Sequence, residues 1–248
     1  TTGENAGLTG GKDGSVPDGT DGGDADSSGE AQDGEADTAV SAVQGASHAS
    51  HCVCGKNSST TVNGHEHDSA VTAWNAADSL PDSAGSYYLT QSVSGNWIVP
   101  TGEVNLCLNG QTINGKITVG SGATLTLTDC TGTGKLQGSR SGSGVSINGG
   151  TFNLYGGTIT GFVNGVEIGS HNDIKTGSSF TMYGGTITSN EAGSSAGGGV
   201  FLISTTNSNV TAPSFTMHGG TISNNTAGAS DGGGGGVYVG EKCSFTMD

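Results

Sequence analysis

The chain has 248 residues, of which 48 are glycine, and its 22 acidic and 7 basic residues give a formal net charge of −15. Hydrophobic residues make up only 31% and aromatic residues 5%, which argues against an ordinary globular core but suits a thin core shared by stacked coils. The charge argues against nucleic-acid binding, which needs a basic surface, and no stretch approaches the roughly 18 apolar residues of a membrane span.

Residues 1–45 form an acidic segment in which ten carboxylates face a single base, Lys12. The remainder is mostly Gly, Ser, Thr and Ala, and such a segment cannot bury enough apolar surface to offset the entropy lost on ordering. Like charges keep it extended. We therefore predict a disordered, solvated tail or linker, with an acidic binding tail as the alternative.

Residues 46–70 contain the densest cluster of metal-binding residue types. Cys52 and Cys54 form a Cys-x-Cys pair, and His65 and His67 form a His-x-His pair after a turn signal at Asn63-Gly64. On extended chain each pair puts both side chains on one face, and a hairpin would assemble the Cys₂His₂ set that zinc prefers. We predict a structural zinc site, since all four ligands come from the protein. The alternative is a loop with ordinary thiols, because the spacing differs from that of common zinc fingers.

Residues 71–100 are predicted to cap the solenoid that follows. A short helix is expected from Ala70 to Leu80, ended by Pro81, and strands are expected at Ser86–Thr90 and Asn96–Val99. The aromatic residues concentrated here would cover the open end of a core. A platform for stacking sugars is the alternative role. The aromatic residues concerned are Trp74, Tyr87, Tyr88 and Trp97.

Residues 101–248 carry the repeats that indicate the fold. One phrase runs Phe152-Asn-Leu-Tyr-Gly-Gly-Thr-Ile159 and recurs from Phe180, Phe215 and Phe245, at spacings of 28 (180−152), 35 (215−180) and 30 (245−215) residues. A second phrase, Gly-Val-x-Ile and its variants, is interleaved with the first from Gly144 onward. Both alternate apolar and other residues with period two and no helical segment follows either, which predicts an all-β, right-handed parallel β-helix. Because the sequence lacks an initiator methionine and a signal peptide and stops inside a repeat, we expect it to be part of a longer protein.

The alternation predicts one continuous buried column and several turns. Asn-Gly at 109–110 and 114–115 should supply positive-φ turns between walls. Cys107 and Cys130 lie about one coil apart, so a disulfide between neighbouring coils is an open alternative, although Cys107 has the opposite parity to the inward leucines. Cys243 has no obvious partner. The predicted column contains Phe152, Leu154, Ile159, Val166, Ile168, Phe180, Met182, Ile187, Val200, Leu202, Phe215, Met217, Ile222, Val237 and Val239.

The fourth residue of each Phe-x-Met-x phrase points outward and should form a ladder. Stacking the repeats aligns Tyr155, Tyr183, His218 and Asp248, with neighbouring coils about 4.8 Å apart. Rings flanked by hydroxyls and an amide suit weak glycan binding. The alternative is that the rings stack on one another and stabilise the coils.

The phrase Leu106-Cys-Leu-Asn-Gly-Gln-Thr-Ile-Asn-Gly115, the run Gly122–Gly132 and the Phe-Thr-Met-x-Gly-Gly-Thr-Ile repeats resemble large surface proteins of gut clostridia. The His-Cys-x-Cys-Gly and His-x-His segment resembles one found upstream of such repeats, so the resemblance covers residues 48–248. It implies right-handed β-helices of the pectate-lyase-like type, secretion to the cell surface and an adhesin-like role. It does not imply one activity, because the fold carries both enzymes and inert stalks.

Carboxylates and bases beyond residue 101 are scattered along the sequence, without the paired carboxylates that glycoside hydrolysis needs. We therefore expect a non-catalytic extracellular surface or adhesion module, with glycans or host or cell-surface components as partners. The alternative is a fragment of a carbohydrate-active enzyme, a polysaccharide lyase or glycoside hydrolase, whose active site lies beyond residue 248.

Overall fold

A computed structural model describes residues 71–169, 177–193, 197–203, 211–228 and 233–248. Within these ranges the chain is all-β and its strands form three parallel sheets, here called sheets I, II and III. No helix in these ranges is long and apolar enough to cross a membrane. The acidic tail at 1–45 and the predicted zinc segment at 46–70 lie outside the described residues.

Sheet I has eight strands: β1 (Thr72–Trp74), β2 (Gly85–Leu89), β5 (Gly102–Cys107), β8 (Ala123–Thr128), β11 (Thr151–Leu154), β14 (Ser179–Met182), β17 (Ser214–Met217) and β20 (Ser244–Met247). Sheet II has six: β3 (Val93–Ser94), β6 (Thr112–Asn114), β9 (Lys135–Gln137), β12 (Thr158–Thr160), β15 (Thr186–Thr188) and β18 (Thr221–Ser223). Sheet III has six: β4 (Trp97–Ile98), β7 (Ile117–Gly120), β10 (Ser143–Asn148), β13 (Asn164–Ile168), β16 (Val200–Leu202) and β19 (Val237–Val239).

Each coil visits sheets I, II and III in turn, which confirms the predicted parallel β-helix. Equivalent residues of the Phe repeat pair in register, so that Phe152 lies beside Phe180, Phe180 beside Phe215 and Phe215 beside Phe245. The register follows from the pattern, because a one-residue slip would turn every buried side chain outward. The right-handed winding predicted from the sequence is the general preference of parallel crossovers.

The predicted buried column exists along most of its length. Every residue in it from Phe152 to Phe215 is at most 1% exposed. The phenylalanine rings stack almost parallel, with centroids 5.1 Å apart for Phe152–Phe180 and 4.7 Å for Phe180–Phe215. Identical side chains therefore fill the interior of sheet I in the same way from coil to coil.

The prediction fails at the last described coil. Met217, Ile222 and Val237 are only partly buried, and Val239 is 41% exposed. Sheets II and III end at β18 and β19 within the described chain, so Ile222, Val237 and Val239 have a neighbouring strand on one side only. Met217 still has β20 beside it, where it pairs with Met247. The alternation places them inward correctly, but burial needs a coil on both sides.

The turn predictions have different outcomes. Asn109 and Gly110 adopt positive φ values of 49° and 75°, as expected. Asn114 and Gly115 do not have positive φ, and that expectation is wrong. Gly115 is required for another reason: a Cβ there would lie 1.9 Å from the carbonyl oxygen of Gly95, so only glycine allows the two coils to approach.

The expected helix from Ala70 to Leu80 is also wrong. Thr72–Trp74 instead forms β1 and pairs with Tyr87–Leu89 of β2. Strand pairing with β2 provides hydrogen-bond partners for the backbone of β1. The Trp74 indole also packs edge-on against Tyr87, with ring centroids 5.7 Å apart. The strands expected near residues 86–90 and 96–99 are confirmed as β2 and β4.

Trp97 belongs to the core and is 5% exposed. Its Nε1 donates a hydrogen bond to the carbonyl oxygen of Pro81, at 2.8 Å. The ring therefore has no free face on which a sugar could stack.

Candidate functional site

The predicted zinc ligands Cys52, Cys54, His65 and His67 lie outside the described residues. Among the residues that the structure does describe, no group of three or more His, Cys, Asp or Glu side chains is arranged to hold a metal ion. The zinc site therefore stays a prediction from the sequence.

The predicted ladder on the outer face of sheet I is formed by stacked rings. Tyr155 and Tyr183 lie 4.4 Å apart between ring centroids with planes inclined by 5°. Tyr183 and His218 follow at 5.0 Å and 20°. The His218 Nδ1 atom lies 2.7 Å from a carboxylate oxygen of Asp248. The geometry thus matches the alternative in which the rings pack on one another.

This packing determines what the ladder offers to solvent. The ring faces of Tyr155 and Tyr183 that point toward each other are covered by the stacking. Both residues therefore present mainly their ring edges and hydroxyl groups to solvent. Burial raises the pKa of Tyr155 above its usual value, and the charge and hydrogen bond of neighbouring Tyr183 raise it further. Glycan binding by Tyr155, Tyr183 and His218 stays a prediction. The broad apolar faces of these three rings are largely covered by their stacking on one another.

A second surface lies on the outer side of sheet III. Two adjoining cavities of about 430 and 420 Å³ share Asn96 and Lys116 in their walls. The first also contains Gln137 and Ser139, and the second contains Ser146 and Glu167. We call the two cavities together the polar groove, because amides, hydroxyls and single charges dominate its walls.

Strand register places the side chains of this surface. In β7, β10 and β13, Thr118, Ser146 and Glu167 are paired neighbours that alternate with buried aliphatic residues. The same outward column continues through Phe201 of β16 and Tyr238 of β19. At about 4.8 Å per coil, the column from Thr118 to Tyr238 extends roughly 19 Å.

The described walls of the groove carry one positive and one negative side chain. Of the described residues in its walls, Lys116 is the only base and Glu167 the only carboxylate. Ser143 donates a hydrogen bond to Glu167, and Asn96 accepts one from the backbone N–H of Lys116 at 3.1 Å. Within the described part of the chain the Lys116 ammonium has no ion-pair partner, so its charge is available to a ligand.

Phe162 closes one wall of the groove at the corner between sheets II and III. It occupies the position held by Asn190 and Asn225 in the next two coils, and it is 1% exposed. Its backbone N–H donates to Asn190 Oδ1 at 3.0 Å. Gly138 lies directly beneath the ring, because a Cβ there would be 2.3 Å from it. The groove therefore forms at the coil where Phe162 replaces the aligned asparagines Asn190 and Asn225, beside the smaller residue Gly138 of the preceding coil.

Phe201 and Tyr238 extend the surface beyond the groove. Their ring centroids are 5.4 Å apart, but the planes are tilted by 50°. Both side chains are half-buried. A tilted pair leaves part of each ring face uncovered, unlike the parallel rings on sheet I.

Sequence reasoning missed this surface although its signal was present. Ser146, Glu167, Phe201 and Tyr238 are the variable positions of the Gly-Val-x-Ile phrase. They point outward by the same parity rule that yielded the ladder.

Two of the charged residues that are scattered along the sequence have defined partners in the structure. Arg140 forms an ion pair with Glu191, 51 positions away, with both side chains largely exposed. Asp129 accepts hydrogen bonds from the backbone N–H groups of Gly110 and Gly134, at 2.8 and 2.7 Å. Both groups therefore serve coil-to-coil packing.

No protein-family model matches the chain, and neither the curated proteins nor the solved structures include a significant match. The resemblance to clostridial surface proteins therefore stays an interpretation of the repeat phrases.

Proposed function

We propose that the chain is a non-catalytic surface or adhesion module that works outside the cell and binds glycans weakly along the outer face of the β-helix. The observation that carries this proposal is the polar groove on sheet III, continued by the tilted rings of Phe201 and Tyr238. The same proposal makes glycans or other cell-surface components its partners.

The chemistry of the groove supports a sugar ligand. Amides, hydroxyls and one ammonium group match the hydroxyl groups around a sugar ring, and an aromatic face suits its C–H side. The groove is open and each cavity is near 400 Å³, which fits a short stretch of glycan. The strong acidity of the chain argues against a nucleic acid in the same place.

A binding role is favoured over hydrolysis by the number of carboxylates. Glycosidases place two carboxyl groups about 5–9.5 Å apart across the scissile bond. Glu167 is the only carboxylate among the described residues of the groove. It can accept hydrogen bonds from a sugar, but it lacks the second carboxylate that the general mechanism needs.

The proposal is tested by titrating a glycan array with the wild-type chain and a Lys116→Ala/Phe201→Ala variant. Loss of a charged hydrogen bond and a ring contact should weaken binding by about tenfold or more. Tyr155→Ala/Tyr183→Ala is the matched control, because it removes two aromatic rings, one half-buried and one exposed, from the outer face of sheet I instead of sheet III. Equal binding by all three proteins, or no binding by the wild type, contradicts the proposal.

A further inference from the structure

Two sulfur atoms are in contact on the outer side of sheet I. Cys107 ends β5 and Cys130 follows β8, and their Sγ atoms lie 3.1 Å apart. Cys107 is 3% exposed, whereas Cys130 is half-buried. Cysteines whose sulfurs already touch need little backbone movement to reach bonding geometry.

A bend at Asp129 brings the two cysteines together. Strand pairing aligns Cys107 with Thr128, so a straight strand would carry Cys130 about 6–7 Å past Cys107. The carboxylate of Asp129 holds the bend by accepting hydrogen bonds from the backbone N–H groups of Gly110, in the preceding coil, and Gly134, five positions further along the same coil. The contact is therefore held by a built turn rather than by two freely moving side chains.

We propose that Cys107 and Cys130 form a disulfide bond that closes one full turn of the solenoid into a covalent ring. The two cysteines are 23 positions apart, and the chain between them includes β6, β7 and β8, one strand from each sheet. The bond holds together the coil that follows the N-terminal strands β1–β4. Without it, a solenoid can unfold from its end one coil at a time.

The chemistry needs a disulfide oxidant such as glutathione disulfide. The thiolate of Cys130, the more accessible sulfur, attacks one oxidant sulfur and releases the first thiol. The Cys107 thiolate then attacks Cys130 Sγ and releases the second. One S–S bond breaks and one forms, the two thiol protons pass to the released thiols, and two electrons reduce the oxidant.

Cys243 supplies an internal comparison. It lies next to β20, four strand spacings or roughly 19 Å from β8, and its Sγ donates to the carbonyl oxygen of Ile203 at 3.3 Å. Burial raises the pKa of this thiol. We therefore expect Cys243 to stay reduced under conditions that join the other two.

The linkage is tested on the full chain in a Cys52→Ser/Cys54→Ser background, which leaves three thiols. The protein is treated with glutathione disulfide, alkylated, digested without reduction and analysed by mass spectrometry. The expected result is a peptide pair joining Cys107 to Cys130, with Cys243 alkylated. Alkylation of both Cys107 and Cys130, or a bond from either to Cys243, overturns the proposal.

Thermal unfolding tests the ring's effect and does not depend on glycan binding. Oxidised protein should melt about 6–12 °C above the same protein in reductant, since a closed loop limits the unfolded chain. A Cys130→Ser variant keeps buried Cys107 and should melt at one temperature with or without reductant. Equal melting of the oxidised and reduced parent protein overturns the stabilising role.

Discussion

The outer faces of sheets I and III share one backbone geometry but differ in what the repeats place on them. On sheet I, Tyr155, Tyr183 and His218 stack with ring planes inclined by at most 20°. On sheet III, the equivalent column changes from Ser146 to Glu167 and then to the tilted ring of Phe201. On sheet I, similar rings recur and each covers the face of the next. On sheet III, the side chains differ from coil to coil, so their polar groups and ring faces stay accessible to solvent.

The difference suggests a way to separate structure from function in a solenoid. Where a similar flat side chain recurs at about 4.8 Å, neighbours satisfy one another and the surface stabilises the coils. Where the repeat is broken, polar groups remain for a ligand. The polar groove begins at such a break, since Phe162 stands where later coils have Asn190 and Asn225.

The largest expected effect comes from the interior, which supports both faces. Phe180 stacks between Phe152 and Phe215 and is 1% exposed. Replacing it with alanine should cost about 3–5 kcal/mol of unfolding free energy, measured by chemical denaturation. Phe245→Ala is the control, because Phe245 is 37% exposed. A similar small loss in both variants would show that the stack does not hold the coils together.

A smaller effect separates the two outer faces directly. Tyr183 contacts rings on both sides, so Tyr183→Ala should lower the unfolding free energy by about 1–2 kcal/mol. The same variant should bind glycans as the wild type does. A stable Tyr183→Ala protein that no longer binds would reverse the roles we assign to the two faces.

The smallest effect is a pH dependence of the ladder. The pKa of Tyr155 is raised by burial, then by the charge and hydrogen bond of Tyr183, above its usual 10.0. The folded state therefore holds this proton more tightly than the unfolded state, so its contribution is complete below pH 10.0 and is lost as the pH rises further.

A Tyr155→Phe variant removes this proton and serves as the comparison. Between about pH 9 and pH 11 the wild type should lose slightly more stability than the variant in denaturant titrations. Parallel curves for the two proteins would show that Tyr155 ionises equally in both states.

The fold and the core follow from the repeats because strand parity is a local property of the chain. Phe152, Phe180 and Phe215 were placed correctly by spacing alone. The helix expected from Ala70 to Leu80 failed because Thr72–Trp74 gains its hydrogen bonds from β2, a partner that local propensity does not include.

The candidate sites were harder to predict, since they depend on contacts between coils. The pairing of Arg140 with Glu191 spans 51 positions, and the contact of Cys107 with Cys130 depends on the bend at Asp129. The ladder's alignment was predictable, but the tilt that distinguishes Phe201 and Tyr238 from Tyr155 and Tyr183 was not.

Hydroxyl-radical footprinting with the glycan that binds best on the array tests directly whether sheet III is the binding face. We expect the glycan to protect Phe201 and Tyr238 from oxidation, while Tyr155 and Tyr183 react as in the free protein. Protection of Tyr155 and Tyr183, with Phe201 and Tyr238 unchanged, would contradict it and place the binding face on the ladder.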